Sequence, residues 1–557
     1  MKISKILLIF LYCASINAQY NISPNSSSTA QTFGSFSHDI GAVNLNPAIL
    51  SYKYKTKKRI NINDSITKYR LNIIESSTKL ESDSLLNLIN NFLYKDSLFA
   101  ELKSIDQKDS HLLILDNIIH QSSAEFYYHL LRDNGYSITS IDSFITNPLS
   151  TDNSQYHIYT NDDLDIELIN IGAMLSNSSI NVGWINKFIL NGSKLGNLAN
   201  KDKKSILEIF PSSGLSINPI INSRTGFRFK NFAFQLAPQI ISEFIVPNGL
   251  IDMIFMGNKL SNPINLNGKK NQFQIVLPFS ISYGSEFKIP PFKKYFKRCY
   301  WGINAKYLGG IAYLESTFDT LKITPNIDNI SINTDINTKY SLAGAFMEIN
   351  NEDPFNYNFN TNAISPFPFS GSGIALDLGL IFDINNEVNA NISLTNLFGT
   401  IYWGNGSPAY KHQLKLNSKL SLDELQNDPK SKIYNGIETD TNTVITKLKT
   451  KYPGALILGT NLSKNKFSIA SNLKIGFNNQ IGNSTKPRLS LGLELKPISF
   501  ISLLSGLSIG GYESFQWGMG INLKLFFMQI NCSYSENGGF PGNAKGVSTS
   551  ISTSIIF

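Results

Sequence analysis

Histidine and cysteine are the least common side chains of this chain that could ligate a transition metal or take part in nucleophilic catalysis, whereas serine is too frequent to be informative. No two histidines have the spacing of a zinc site. Cys13 lies near the N-terminus, and Cys299 and Cys532 are far apart and form no CxxC pair. No phosphate-binding loop, dinucleotide fingerprint or nucleophile elbow is present. The sequence therefore predicts no catalytic residue, no metal site and no cofactor. The histidines are His38, His111, His120, His129, His157 and His412.

A short row of acids is the second candidate for chemistry. Asp163, Asp165 and Glu167 alternate with apolar residues, so they share one face of an extended strand. Such a row could bind calcium or select cations. The same pattern is typical of the wet inner face of a barrel strand, which is the preferred interpretation.

Basic clusters accompany a net charge of +8. They could meet anionic lipid headgroups, although solvated loop charges are the more usual explanation. Neither cluster lies in a nucleic-acid-binding motif, so no nucleic-acid partner is predicted. The two clusters are Lys293, Lys294, Lys297 and Arg298, and Lys201, Lys203 and Lys204.

The alternating pattern of residues 547–557, at the C-terminus, predicts one amphipathic strand. Apolar or methyl-bearing residues alternate with four serines, and the chain ends on Phe557. The length of roughly 9–11 residues suits a strand that crosses a bilayer at a tilt. Outer-membrane barrels commonly end on such a strand, because the barrel assembly machinery recognises it. Ile551, Ile555 and Phe557 are therefore the predicted assembly signal.

The residues 1–18 have the layout of a secretory signal peptide. Lys2 and Lys5 form a positive start, an apolar run follows, and Ala18 supplies a small residue at the cut. The apolar run is too short to span a bilayer as a helix. The sequence thus predicts export, with the outer membrane as the destination.

Composition and pattern predict the fold between these two ends. Hydrophobic residues make up 42% of the chain and charged residues only 16%, against about 25% charged in a soluble domain. Alternating strands hide lipid-facing residues from a hydropathy window, and the Leu489–Leu495 segment is one such strand. We predict an all-β fold, a transmembrane antiparallel β-barrel of about 14–16 strands.

Four tryptophans would suit an interfacial girdle around such a barrel, although ordinary packing stays open as an alternative. They are Trp184, Trp301, Trp403 and Trp517.

Helical spacing interrupts the strand pattern between about residues 83 and 135. A lipid-facing barrel wall cannot contain such helices, because it must pair every backbone group between strands. We therefore predict a helical insertion over residues 62–165, as a lumenal plug or an extracellular cap. The predicted division of the remaining chain is a hatch with a first strand at 19–61 and the barrel at 166–557.

The segment Asn44-Leu45-Asn46-Pro47-Ala48 resembles the N-terminal hatch of FadL-type long-chain fatty-acid transporters. It also resembles related barrels of Bacteroidota-type bacteria, including type IX secretion shuttle-type proteins. The resemblance implies a hatch folded into the lumen and assigns it Asn46, Pro47 and Ala48. Pro47 moves Asn46 out of the helical region, and the Asn46 side chain can then bond the local backbone.

Longer stretches resemble a domain-of-unknown-function family of outer-membrane barrels from the same bacteria. The resemblance implies the fold and no activity. The stretches are 244–258, 305–313, 373–380 and 394–403.

We expect a non-enzymatic channel or transporter for a hydrophobic small molecule. The alternative is a non-transporting barrel that scaffolds or anchors a surface or secretion partner. The expected partners are outer-membrane lipid, the assembly machinery, and either a hydrophobic ligand or a surface protein. A continuous apolar pocket in the lumen would favour transport, and a plug packed without a cavity would favour scaffolding.

Overall fold

Fourteen antiparallel strands close into a barrel in the computed structural model of this chain. This confirms the predicted all-β antiparallel barrel. The structure describes residues 22–32, 40–52, 55–56, 158–159, 164–186, 203–204, 207–256, 264–265, 269–287, 296–343, 348–349, 357–358, 369–385, 387–421, 423–424, 436–464, 466–480, 482–498, 500–525, 527–540 and 542–556.

The strands follow one another along almost the whole described chain. They are β1 (Lys55–Thr56), β2 (Ile158–Tyr159), β3 (Leu164–Asn177), β4 (Leu215–Phe229), β5 (Phe232–Leu236), β6 (Gln239–Val246), β7 (Ile264–Asn265), β8 (Lys269–Phe287), β9 (Arg298–Pro325), β10 (Asn329–Leu342), β11 (Glu348–Ile349), β12 (Tyr357–Asn358), β13 (Gly371–Asp383), β14 (Val388–Trp403), β15 (Ala409–Ser421), β16 (Ile437–Ile445), β17 (Leu448–Lys451), β18 (Ala455–Ser463), β19 (Phe467–Gly476), β20 (Arg488–Ile498), β21 (Ile501–Gly510), β22 (Phe515–Leu525), β23 (Met528–Asn537) and β24 (Gly546–Ile556). The helices are the α-helices Pro24–Ser28, Val182–Ile185 and Asn248–Met256 and the 3-10 helices Ile40–Asn44 and Pro47–Leu50. None of the helices in the described part of the chain has the length and apolarity to cross a membrane.

The wall is built from β3, β4, the broken strand β5–β6, β8, β9, β13, β14, the broken strand β17–β18, and β19 to β24. The last strand, β24, pairs with β3 and closes the barrel, with Ile551 opposite Ile171. Each of the other wall strands pairs antiparallel with its neighbours.

Alternation along the strands separates a polar interior from an apolar exterior. In β24 Ser548 and Ser552 are buried inside, whereas Ile551 is 49% exposed outside. Leu489 and Leu491 of β20 are likewise about half exposed on the outer face. Because successive side chains of a strand point to opposite faces, this pattern follows from the sequence period of two.

The two ends of the barrel differ in the length of their connections. At the end that carries Ile556, five connections are tight turns: β4–β5, β13–β14, β18–β19, β20–β21 and β22–β23. We call this end the turn end. The opposite end has long connections, such as residues 178–214 between β3 and β4, and is called the loop end.

Three further strands extend the wall at the loop end. β9 is 28 residues long, and beyond Gly310 it leaves β13 and pairs with β10 instead. β10 pairs with β15, and β15 pairs with β16. We call the part of β9 from Ala312 onwards, together with β10, β15 and β16, the extension sheet.

Two buried N-terminal segments, residues 22–32 and 40–52, lie inside the barrel and belong to the same compact unit. Residues 53–161 form a second unit, of which β1 and β2 are described, paired with each other. The first wall strand therefore starts at Leu164, whereas the sequence placed a first strand within 19–61 and the barrel from 166. The rest of the predicted helical insertion lies outside the described residues.

The described residues that flank the second unit both lie at the turn end. The ring of Tyr52 meets that of Tyr300, near the start of β9, with 5.3 Å between centroids. Leu164 pairs with Phe229, next to the β4–β5 turn.

Candidate functional site

Asn46, Pro47 and Ala48 form a capped turn in the lumen. Asn46 has φ −151° and ψ 100°, and its side-chain oxygen accepts a hydrogen bond of 3.1 Å from the Ala48 amide. This bond caps the 3-10 helix Pro47–Leu50, whose residues are all buried. Proline at the first position of that helix fits, because its fixed φ is helical and its missing N–H would have no partner there.

Glycines of the wall make room for the backbone of residues 40–52. A Cβ on Gly302 of β9 would lie 2.2 Å from the carbonyl carbon of Pro47, and one on Gly379 of β13 would lie 2.0 Å from the Asn46 side-chain oxygen. Neither distance is compatible with a side chain on the wall. The hatch therefore lies directly against the strands at these points.

Residues 22–32 lie against a second group of glycines, on β21 and β22. A Cβ on Gly506 would lie 2.4 Å from the carbonyl carbon of Thr29, and one on Gly518 would lie 2.4 Å from the carbonyl oxygen of Ser27. The two N-terminal segments thus occupy different sectors of the barrel. We call the four glycines Gly302, Gly379, Gly506 and Gly518 the hatch seats.

A buried ion pair joins the wall strands β9 and β13, and Asn304 connects it to the hatch. Lys306 Nζ lies 2.6 Å from Asp377 Oδ2, with side chains 7% and 0% exposed. Asn304 donates hydrogen bonds to Asp377, at 2.7 Å, and to the side chain of Asn44 in the hatch, at 3.1 Å. Lys306 also donates to Asn396 at 2.8 Å. Because a buried charge is stable only when it is paired and hydrogen-bonded, the four partners hold one another in place.

A second buried ion pair accounts for the acidic row of the sequence. Arg224 Nε donates to Glu167 at 2.5 Å and Arg224 Nη2 at 2.9 Å, while Asn170 donates to the same carboxylate at 2.8 Å. Asp165 is also buried, whereas Asp163 lies outside the described residues. The described residues contain no cluster of three acids, histidines or cysteines that could hold a metal ion. The row is therefore part of the polar inner face.

A cavity of about 90 Å³ lies between the hatch and the wall. This is room for roughly six water molecules, whereas a pocket for a drug-sized ligand measures about 300–1,000 Å³. Most of the residues that line it are polar, and they include Lys306, Lys474 and Arg224. Among the described residues the lumen thus holds a small cavity that is lined mainly by polar residues. The hydroxyl of Tyr452, which also lines it, donates to Gln239 at 2.6 Å.

The wall is irregular next to this cavity. Ala237 and Pro238 separate β5 from β6, and Pro278 lies inside the neighbouring strand β8. Neither proline has an N–H to donate to the ladder. The prolines still accept two backbone hydrogen bonds from neighbouring segments. Ser223 N donates to Pro238 O at 3.0 Å, and Ala237 N donates to Pro278 O at 3.1 Å. Because Ala237 and Pro278 also line the cavity, the weakened ladder lies directly beside it.

An apolar cluster borders the cavity through Tyr452. The rings of Tyr313 and Trp403 stack with 5.4 Å between centroids, and Trp403 Nε1 donates to Thr450 at 2.9 Å. Leu308 and Tyr452 pack in the same cluster.

The four tryptophans differ in how far they are buried. Trp403 is 2% exposed and Trp184 is 8% exposed, so both are packed within the protein, which is the alternative that the sequence left open. Trp301, at 37% exposure, lies on the outer face, and Trp517 is partly buried. An interfacial role for these two remains a prediction. Ile551 and Ile555 lie on β24, while Phe557 is outside the described residues.

The ion pairs of the lumen were not identified from the sequence. Their signal was present: Asn304 and Lys306 alternate with apolar residues, and Asp377 stands between Leu376 and Leu378. A charge on the inner face of a strand is ordinary in a barrel, so the pattern alone did not reveal which charges meet.

A family model described as a family of unknown function, DUF5723, matches residues 163–531. No curated protein matches the chain. Among solved structures, the Pseudomonas putida toluene transporter TodX is 9% identical, with a TM-score of 0.35, and the match covers 72% of this chain and 91% of that one. The CymD monoaromatic hydrocarbon channel is 10% identical, with a TM-score of 0.37 and coverages of 72% and 89%. A Pseudomonas aeruginosa FadL homologue is 10% identical, with a TM-score of 0.36 and coverages of 71% and 90%.

Proposed function

The chain belongs to DUF5723, a family of unknown function, and we propose that it is an outer-membrane channel or transporter for a hydrophobic small molecule. The observation that carries this proposal is the weakened ladder between β4, β5–β6 and β8, which lies beside the lumenal cavity. A route from the lumen through the side of the barrel would deliver an apolar molecule to lipid instead of water.

The outer surface beside this part of the wall supports the proposal. Phe227 and Ile281 are 49% and 64% exposed, and Phe234 is 38% exposed. An apolar molecule that passed the wall here would meet apolar side chains. The polar cavity favours a molecule that also carries a polar group, which the amides and cations of the lining would hold while the apolar part moved through the wall.

The closed state of the lumen fits a gated channel. The hatch lies against its seats, and the hydrogen bond from Tyr452 to Gln239 joins residues of two distant wall segments across the cavity. Transport would require a displacement of the hatch or of the Ala237–Pro238 segment. Short turns of outer-membrane barrels face the periplasm, so we place the turn end there.

Replacing Pro238 by valine tests the route, because valine restores an N–H and favours the extended strand. We expect P238V to lower the uptake of a radiolabelled hydrophobic probe by cells that express the protein. P497V is the control, since Pro497 lies in strand β20, which is not part of the weakened ladder, and does not line the cavity. Equal uptake by P238V, P497V and wild type would exclude this route. Equal uptake by cells without the protein would exclude the function.

A scaffolding role is the second candidate, and the extension sheet favours it. Its strand β16 is largely exposed, and the sheet continues beyond the strands that close the barrel. A surface or secretion partner could dock there. Removing residues 437–445 should then release a stoichiometric protein partner and leave probe uptake unchanged. If the protein has no such partner, the deletion will release no protein.

A further inference from the structure

The outer rim of the turn end combines exposed apolar side chains with lysines. At the β4–β5 turn Phe229 and Phe232 are 50% and 56% exposed on either side of exposed Lys230. At the β22–β23 turn Phe527 is 59% exposed and Lys524 is also exposed. The β18–β19 turn adds exposed Lys466. We call Lys230, Lys466 and Lys524 the basic rim.

The charges of the basic rim are not neutralised within the described part of the protein. None of the three lysines forms an ion pair with a described residue. Lys230 Nζ instead lies 5.3 Å from the ring centroid of Phe229. Other turn-end lysines do have acidic partners, such as Lys496 at 3.2 Å from Glu494. Within the described residues the three lysines therefore carry positive charges without an acidic partner, and these charges are available to an outside partner.

The position of these lysines determines what that partner is. The exposed apolar residues of the wall stand in hydrocarbon when the barrel spans a bilayer, and the turns just beyond them stand at the level of the headgroups. Phenylalanine side chains at the turns anchor that level, while lysine stems extend along the apolar surface and place the ammonium among the headgroups. A phosphate without a compensating cation is the group that a free ammonium attracts there.

We propose that the basic rim binds the headgroups of anionic phospholipids in the leaflet at the turn end. The partner is a lipid and not a soluble anion, because each lysine is flanked by, or lies at the same level as, exposed apolar side chains that a soluble anion would leave in water. This inference does not depend on what the channel carries.

Native mass spectrometry of the full chain from mixed micelles tests the proposal. The purified protein is equilibrated with equal amounts of phosphatidylglycerol and phosphatidylcholine that have the same acyl chains. Wild type should retain phosphatidylglycerol preferentially. Each lysine removed should lower this preference about fivefold at low salt, and added salt should lower it further.

The triple variant K230Q/K466Q/K524Q should lose the preference. The matched control is K322Q/K411Q/K419Q, which removes three exposed lysines of the extension sheet that also lack an ion pair with any described residue. Each triple variant is first checked for heat-modifiable mobility. If the rim triple fails to fold, the single variant K230Q replaces it, and if the control triple fails, K322Q replaces it. Absence of a preference in wild type, or an equal loss in the two triple variants, would overturn the proposal. Retention of inorganic phosphate in place of lipid would overturn it as well.

Discussion

At the scale of single residues, the Lys306–Asp377 pair is the contact on which most of the lumenal network depends. It has almost no access to solvent, and it connects β9, β13 and β14 through Asn304 and Asn396. Taking two charges out of water costs free energy, which their attraction and hydrogen bonds offset only when every partner is present. The pair is therefore sensitive to the loss of either member.

We expect K306M to lower the free energy of unfolding by about 3–5 kcal/mol, because it leaves the Asp377 carboxylate buried without its cation. The measurement is urea unfolding of the protein refolded in lipid vesicles. The double variant K306M/D377L should be less destabilised than K306M alone, since it leaves no unpaired charge. If the double variant loses as much unfolding free energy as K306M and D377L lose together, this reasoning is contradicted.

Glu315 in the extension sheet predicts a pH dependence outside the barrel wall. Burial raises the pKa of its carboxyl, but hydrogen bonds from Lys270, Tyr313 and Lys339 outweigh burial and lower the pKa to about 2. A carboxylate with a lowered pKa stabilises the folded state above its ordinary pKa of 4.5, and this contribution is lost as the pH falls toward about 2. The difference in urea midpoint between wild type and E315Q should therefore be constant above pH 5 and shrink between about pH 4.5 and 2.

Glu438 supplies the control for this pH dependence. It is exposed on β16 and forms no ion pair with a described residue, so E438Q should leave the urea midpoint close to that of wild type at every pH. A difference for E315Q that persists undiminished at pH 2 would show that its effect is not due to charge.

Trp403 illustrates what residue types alone cannot decide. A tryptophan near the end of a barrel strand is as compatible with a lipid interface as with a packed core. The choice depends on Tyr313, Leu308 and Tyr452, which reach Trp403 from other strands. Those contacts follow from register between strands far apart in sequence, which no local pattern contains.

At the scale of elements, the two N-terminal segments differ in how completely their buried polar groups are hydrogen-bonded. Residues 40–52 bury Ile40, Val43 and Leu50 and cap their own turn. Residues 22–32 are mostly polar, and the buried hydroxyls of Ser26 and Ser27 have no hydrogen-bond partner among the described residues. An unsatisfied buried hydroxyl costs about 1–3 kcal/mol, so this segment is the less stably packed of the two.

Serine substitutions can measure that difference. We expect S26A to leave stability unchanged or raise it by up to about 1 kcal/mol, because it removes a polar group that gains nothing from burial. S28A is the control and should destabilise by about 1 kcal/mol, since the Ser28 hydroxyl donates to Pro24 O at 2.6 Å. The comparison uses the same urea unfolding, and a clear loss of stability in S26A would mean that its hydroxyl has a partner.

The hatch seats predict an effect on permeability. G302A places a methyl group where the backbone of Pro47 lies, so we expect residues 40–52 to move away from the wall and the conductance in planar bilayers to rise. G373A is the control, because its Cβ would meet Thr400 O of the neighbouring strand at 2.1 Å instead of the hatch. Equal conductance in the two variants would mean that the clash at residue 302 is absorbed by the wall.

The sequence was sufficient to predict the strands, but it did not reveal which glycines are the hatch seats. Alternation identified the strand around Leu491 and the one that contains Ile551, because outer and inner faces differ in chemistry along each strand. Gly302 and Gly506 carry no such signal. A glycine in a strand predicts a bulge or a close approach, and the partner that approaches lies hundreds of residues away in sequence.

At the scale of the whole molecule, the C-terminal strand has a predicted role in assembly. β24 pairs with β3 along its length and completes the barrel. Deleting Phe557 should lower the yield of heat-modifiable barrel in the outer-membrane fraction, because the assembly machinery would lose part of its recognition signal. A deletion variant that assembles at the yield of wild type would remove this role from Phe557. Recovery of the wild-type protein in the soluble fraction would contradict the membrane barrel itself.

The position of the hatch also sets an order of events in time. Asn522 donates a hydrogen bond to Asn25, although the two residues are 497 positions apart. Residues 22–32 are thus among the last to reach their final place, because β21 and β22 must be present before Gly506 and Gly518 are available. A serine- and asparagine-rich chain can spend that interval in water without aggregating, which an apolar plug could not do.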